Sequence, residues 1–223
     1  MPCDFVYGSE GVSFGEQAKK LGWTGVCLLI PYPEWEGNKE IKKAEGIDFT
    51  TGAACTAKSP QQVAHLAKAL RGKAEVIAVV GGDLEVNRAA VETPEVDLLL
   101  RPWEGRQDAG VNHVVARLAK KNNVAILFEL EPLMHAAKRG RSELFERYER
   151  TARLLRKYHA PFVIASGARS AWDLRGPSEL VSFGRLLGFD DKQIQESMSG
   201  NMIRENRKRL SGKWVMPGVE VVR

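Results

Sequence analysis

The stretch VIAVVGGDLEVNRAAVETPEVDLLLRPWEGRQDAGVNHVVARLAKKNNVAILFEL, residues 76–130, carries the reading of the fold. Its three apolar runs, Val76–Val80, Val96–Leu100 and Val124–Phe128, are rich in Val, Ile and Leu and show no strict alternation with polar residues. Such runs suit strands covered on both faces. Between them, Leu84–Val91 and Val111–Lys121 repeat apolar residues at helical spacing. Strands and helices that alternate in this way predict a parallel sheet with right-handed crossovers.

The alternation continues on both sides. Asp4–Tyr7, Gly25–Ile30, Gly52–Thr56 and Phe162–Ala165 read as further strands, and Phe14–Leu21, Pro60–Leu70 and Ser142–Tyr158 as further helices. Ser59-Pro60 places a capping hydroxyl before a proline at the first helical position, where its missing N–H costs nothing. Pro177-Ser178 opens a helix that Gly188 ends, and Asp190-Asp191 and Gly200-Asn201 begin two more. Seven strand–helix alternations predict an α/β fold, a TIM-like (β/α) barrel rather than an open sheet. No linker, repeat or low-complexity tract interrupts residues 1–223, which read as a single barrel domain with an irregular C-terminal tail at 212–223.

The chain is 43% hydrophobic and 27% charged, ordinary values that exclude a disordered, collagen-like or disulfide-stapled protein. No run approaches the ~18 apolar residues of a membrane span. The start, MPCDFVYGSEG, lacks the basic and apolar regions of a secretory signal. A cytoplasmic protein without membrane contact is expected. Cys3, Cys27 and Cys55 are odd in number and lack C-x-x-C spacing, so they read as small buried hydrophobes.

In parallel barrels, chemistry gathers where strands end. Asp4, Asp83 and Glu129 could supply oxygen ligands, but they are scattered, and no histidine directly follows a strand. H-x-H, H-E-x-x-H, G-x-S-x-G and the phosphate-cradling glycine loops are all absent. Neither a metal site nor a catalytic residue is assigned, and Arg101 with Glu129 is expected to form an ion pair in the barrel mouth.

Basic residues are better supplied. The net charge is +5, and the surplus lies beyond residue 100, which suggests a polyanionic partner. On Val111–Lys121 the apolar stripe is Val111, Val114, Val115 and Leu118, while His113, Arg117, Lys120 and Lys121 share the opposite face. A row of this kind can follow a phosphate backbone. Arg101-Pro102-Trp103-Glu104-Gly105-Arg106 sets an indole between two guanidinium groups. Trp103 and Trp172 could each stack on an unpaired base or be buried; burial is expected for both, leaving Arg169 and Arg175 as phosphate contacts. Arg204, Arg207, Lys208 and Arg209 form a last basic cluster at helical spacing.

Three stretches together resemble the archaeal ribonuclease P protein component 3 family, whose eukaryotic relatives are thirty-kilodalton ribonuclease P subunits. They are RPWEGRQDAGVNHVVARLAKKNNVAILFEL at 101–130, the Ser166-Gly167-Ala168 turn leading to Trp172-Asp173-Leu174-Arg175 and Pro177, and the closing GNMIRENRKRL. Gly-Trp-x-Gly and the hydrophobic run at 22–30 also fit. The resemblance implies a barrel related to the polymerase-and-histidinol-phosphatase (PHP) superfamily. It also implies membership of a ribonucleoprotein endoribonuclease in which RNA, using Mg2+, removes the 5′ leader from precursor tRNA. The chain alone would then be inactive and bind no cofactor of its own. Its partners would be the catalytic RNA, component 2 in a 2:2 heterotetramer, and the other protein subunits. Motif positions mark Arg101, Arg106, His113, Arg169 and Arg175 as RNA contacts, joined through their basic faces by Arg117, Lys120, Lys121 and Arg207. Asn112 also falls in the first motif, with a structural role at the Gly110 turn as its other reading. The rival is a stand-alone metal-dependent phosphoesterase on the same barrel.

Overall fold

The computed structural model describes residues 2–8, 10–37, 41, 44–211, 214–216 and 219–220, with side chains described up to residue 211. The strands are β1 (Cys3–Tyr7), β2 (Gly25–Pro31), β3 (Asp48–Thr56), β4 (Val76–Val80), β5 (Leu98–Leu100), β6 (Ala125–Glu129) and β7 (Phe162–Ala165). The helices between them are α1 (Gly11–Lys20), α2 (Glu34–Gly37), α3 (Pro60–Leu70), α4 (Leu84–Glu92), α5 (His113–Asn122), α6 (Glu131–His135) and α7 (Lys138–Tyr158). A 3-10 turn (Ala171–Asp173) follows β7, then α8 (Pro177–Leu186), α9 (Asp191–Ser197) and α10 (Asn201–Leu210). Within the stretch expected to be irregular, β8 (Trp214–Met216) and β9 (Val219–Glu220) pair antiparallel. The other residues of 212–223 lie outside those described.

All seven strands pair in parallel in sequence order, the arrangement that consecutive right-handed crossovers produce. The strand ladder does not run from β7 to β1, yet backbone and side-chain bonds span that seam. Tyr7 N–H donates to Ala168 O at 2.8 Å and Gly167 N–H to Phe5 O at 3.1 Å. One oxygen of the fully buried Asp4 carboxyl accepts from the Ser166 N–H at 2.8 Å, and the other shares a hydrogen bond with the Ser166 hydroxyl at 2.5 Å. The result is a nearly closed TIM-like barrel.

Period-2 alternation sorts the side chains of each strand. Cys3, Phe5, Cys27, Leu29, Val76, Ala78, Leu98, Leu100, Leu127 and Val163 form one cluster, inside the barrel. Val6, Val26, Leu28, Ile77, Val79, Leu99, Ile126, Phe128 and Ile164 belong to a larger cluster between the strands and the helices. All three cysteines are free and buried. Ile203 of α10 joins the interior cluster, so α10 covers the end of the barrel where the strands begin. Among the described residues, no helix is long and apolar enough to cross a membrane.

Candidate nucleic-acid interface

The loop from Arg101 to Asn112 leaves β5 at the mouth of the barrel, where the strands end. Arg101 takes the left-handed conformation with φ +46°, and Glu104 N–H and Arg106 N–H close two successive turns on Arg101 O and Trp103 O. Gly110, at φ +66°, packs so closely on the Pro102 carbonyl that a Cβ would overlap the oxygen; only glycine fits. Asn87 of α4, fully buried, ties the loop down. Its amide nitrogen donates to Pro102 O at 2.8 Å and Gly110 O at 2.9 Å. Its amide oxygen accepts from Gly82 N–H at 3.0 Å. Sequence reasoning missed Asn87 because its partners are up to 23 residues away and no local pattern marks it.

Arg106 is partly covered by this loop, its side chain 22% exposed, and its Nη1 donates to Gly82 O at 3.4 Å. Its Nε and Nη2 fork onto Asp108 at 2.6 and 2.8 Å, a bidentate geometry. Asp108 also accepts from Gly110 N–H at 2.9 Å. The Arg106 hydrogen bonds are the largest influence holding the Asp108 carboxyl down at about 2, and Arg147 of α7 contributes through its charge. Arg147 therefore belongs to the surroundings of the loop; it carries no sequence motif and was not anticipated.

Arg101 is turned inward. Its Nε donates to Glu129 at 2.8 Å, the two side chains being 13% and 1% exposed. The Tyr7 hydroxyl donates to the other Glu129 oxygen, and the Arg101 guanidinium lies 4.9 Å from the Tyr7 ring centroid. Burial raises the Glu129 pKa, opposed by Arg101 and Tyr7. The ion pair expected from the sequence is present, and it gives Arg101 little surface to offer a phosphate.

Residues after β7 reach the same place. Arg169 sits 5.4 Å from the Tyr7 centroid and 3.6 Å from Glu131, with its side chain 54% exposed. Tyr7 is thus where the loops of the first and second motifs meet. Arg175 Nη1 donates to Trp172 O at 3.0 Å and Leu174 O at 2.7 Å. Trp172, expected to be buried, is 85% exposed: the turn that fixes its backbone directs the indole outward. Trp103 is partly buried, edge-on to Tyr148 at 6.2 Å.

Asn112 caps α5, accepting from Val114 and Val115 N–H at 2.9 and 3.0 Å. His113 is the first helical residue, and His113, Arg117, Lys120 and Lys121 are all exposed. At 1.5 Å per residue this row descends roughly 12 Å from the mouth along the barrel wall. Val114 leaves the predicted apolar stripe: the cap sets the helix phase so that Val115, Ala116 and Ala119 are buried and Val114 is exposed.

Arg207 lies at the opposite end. It donates to both Asp48 oxygens at 2.8 Å, to Glu75 at 3.0 Å, to Phe49 O at 3.0 Å and to Thr50 Oγ1 at 2.6 Å. The guanidinium fastens α10 beneath the barrel, a role its charge alone could not reveal.

The candidate ligand carboxylates are engaged too. Asp4 serves the seam, Asp83 caps α4 by accepting from Glu85 and Val86 N–H, and Glu129 is paired with Arg101 and Tyr7. Among the described residues, no group of three His, Cys, Asp or Glu side chains could hold a metal ion. This donor set does not favour the metal-dependent phosphoesterase.

Comparison with known proteins agrees with the geometry. A ribonuclease P protein component 3 from Methanothermobacter thermautotrophicus is 32% identical over 190 residues, covering 82% of this chain and 78% of that one. Its counterpart from Methanococcoides burtonii is 33% identical over 220 residues, covering 96% and 90%. A chain in the cryo-EM structure of archaeal ribonuclease P with mature tRNA superposes with a TM-score of 0.87 at 27% identity, over 99% of this chain and 98% of that chain. The sequence model described as RNase P subunit p30 matches residues 13–210, and the chain belongs to that family.

Proposed function

We propose that this chain binds and activates the RNA of ribonuclease P, the ribonucleoprotein endonuclease that removes the 5′ leader from precursor tRNA. The observation that carries the reading is the superposition of nearly the whole chain on one from archaeal ribonuclease P with mature tRNA. In this reading RNA performs the hydrolysis with Mg2+, the protein binds no cofactor, and the chain alone is inactive. It works in the cytoplasm with component 2, as a 2:2 heterotetramer, and with the other protein subunits.

The proposed interface centres on Arg106, His113, Arg169 and Arg175 at the rim of the mouth, with Arg117, Lys120 and Lys121 continuing it down α5. Arg101 contributes by fixing the loop that carries Arg106. Each phosphate neutralised releases counterions, so affinity should fall steeply with salt.

The test is an omission series on labelled precursor tRNA at low magnesium, with this chain alone, with the cognate catalytic RNA plus component 2, and with all three. Cleavage that requires all three is expected. Metal-dependent cleavage by the chain alone would overturn the assignment.

A further inference from the structure

Trp172 combines two properties seldom found together: an indole 85% exposed on a backbone hydrogen-bonded from several directions. Tryptophan is highly buried on average, so this degree of exposure calls for a physical account. On one side of the turn, Asp173 accepts from the Ser170 hydroxyl at 2.8 Å and lies 2.9 Å from His135 Nε2 of α6. On the other, Arg175 Nη1 holds the carbonyls of Trp172 and Leu174, and Arg175 O accepts from the Trp23 indole N–H at 2.8 Å. Leu174, next but one to Trp172, is 3% exposed and anchors the turn in the core. The indole is therefore mounted on a fixed support, and a partner that packed against it would order little further chain.

We infer that Trp172 is a stacking platform for an unpaired RNA base; this rests on the RNA-binding reading above. An indole face suits any base, and a guanidinium held in the same turn can meet the phosphate that accompanies it. Arg175 is so placed. Its Nη1 is used by the two carbonyls, while among the described residues Nε and Nη2 have no hydrogen-bond partner. Ser170, Asp173, Arg175, His135 and, close enough to feel the Arg175 charge, Glu179 make much of the frame polar or charged, and α1 packs on the turn as well. A protein hot spot would instead be ringed by packed contacts that exclude water.

Binding of the cognate catalytic RNA across a salt series separates stacking from charge. Trp172→Ala should weaken binding about 5- to 150-fold, the range for loss of one stacked base, with an unchanged salt slope because no phosphate contact is lost. Trp172→Phe should restore most of the affinity, and because the indole is exposed both variants should melt like the wild type. Arg175→Ala should instead lower the slope by about one. If Trp172→Ala binds as the wild type does, the platform is refuted while the wild-type salt dependence still upholds RNA binding. If the wild type shows no salt-sensitive binding, the underlying reading fails as well. Unchanged RNA affinity with lost association of component 2 would assign the indole to a protein partner and overturn the inference.

Discussion

Asn87 offers the sharpest test of how the rim is held. Its side chain is fully buried and makes three hydrogen bonds, to Gly82 N–H, Pro102 O and Gly110 O, at 2.8–3.0 Å. Asn87→Ala removes all three partners at once. A buried backbone group left unpaired costs ~1–3 kcal/mol, but the vacated space is polar, so a water can enter and recover part of that loss. We expect a net destabilisation of about 3 kcal/mol. For a chain of this size that corresponds to a fall in Tm of roughly 6–12 °C. Asn87→Asp separates the hydrogen bonds from the volume, because it keeps the shape and the acceptor for Gly82 but sets a carboxylate with no donors against two carbonyl oxygens. It should be at least as destabilising as the alanine variant at pH 7. Equilibrium urea unfolding gives both values. If both lie within about 0.5 kcal/mol of the wild type, the ordinary range for surface substitutions, the claim that Asn87 holds the loop is wrong.

Three other substitutions test the seam, the underside and the mouth. Burial, opposed by the bonds from Ser166 and Phe5, pushes the Asp4 carboxyl up to about 7. The folded state therefore holds a proton that the unfolded chain releases near pH 4. The resulting stability is present below about pH 4 and lost as pH rises through 7, and Asp4→Asn should remove that slope from urea midpoints measured at pH 4.5, 6 and 7.5. Arg207→Ala breaks five hydrogen bonds at a partly exposed site and should cost about 1–3 kcal/mol without altering the salt slope of RNA binding. A slope lowered by one would instead place Arg207 on RNA. Arg101→Ala strands a buried carboxylate and should cost about 3–5 kcal/mol, whereas the double variant Arg101→Met/Glu129→Met should recover much of it. Thermal melts of both variants decide, since a double variant no more stable than Arg101→Ala would refute the stranded-carboxylate account.

Apolar runs disclosed the barrel because strands covered on both faces have little freedom of composition. Their ends were less legible where a side chain joins the ladder. The Asp97 carboxylate accepts from Ile77 N–H at 2.8 Å, and β5 is confined to Leu98–Leu100 although Val96 is also buried. α7 begins at Lys138, four residues before the predicted start, and Ala137 offers no side-chain cap to mark it. Motif positions led to the two loops of the rim, yet charge could not separate Arg106, forked onto the exposed Asp108, from Arg101, turned inward to Glu129. Arg207 was hidden for the same reason, its carboxylates lying 132 and 159 residues away. Trp172 was misjudged because composition reports hydrophobicity, whereas the direction of a side chain on a turn is set by the turn's own hydrogen bonds.

Charge is placed differently in the mouth of this barrel and on its rim. Enzymes on such scaffolds keep unsatisfied polar groups in the mouth, ready for a metal, a nucleophile or a substrate. Here Tyr7, Arg101 and Glu129 fill that position and pair with one another, leaving Arg101 Nη2 buried without a hydrogen-bond partner, while Asp83 and Asn112 are committed to helix caps and Asp4 with Ser166 to the seam. Among the proposed contacts, the exposed cations are Arg169 after β7 and Arg117, Lys120 and Lys121 along α5. A plugged mouth gives these loops a rigid floor, because Tyr7 supports the guanidinium groups of Arg101 and Arg169 on one ring. Rigid, outward-facing cations can bind an extended polyanion without reorganising. Changes on the rim should therefore act on RNA affinity with little effect on stability, and changes to the plug should act on stability first.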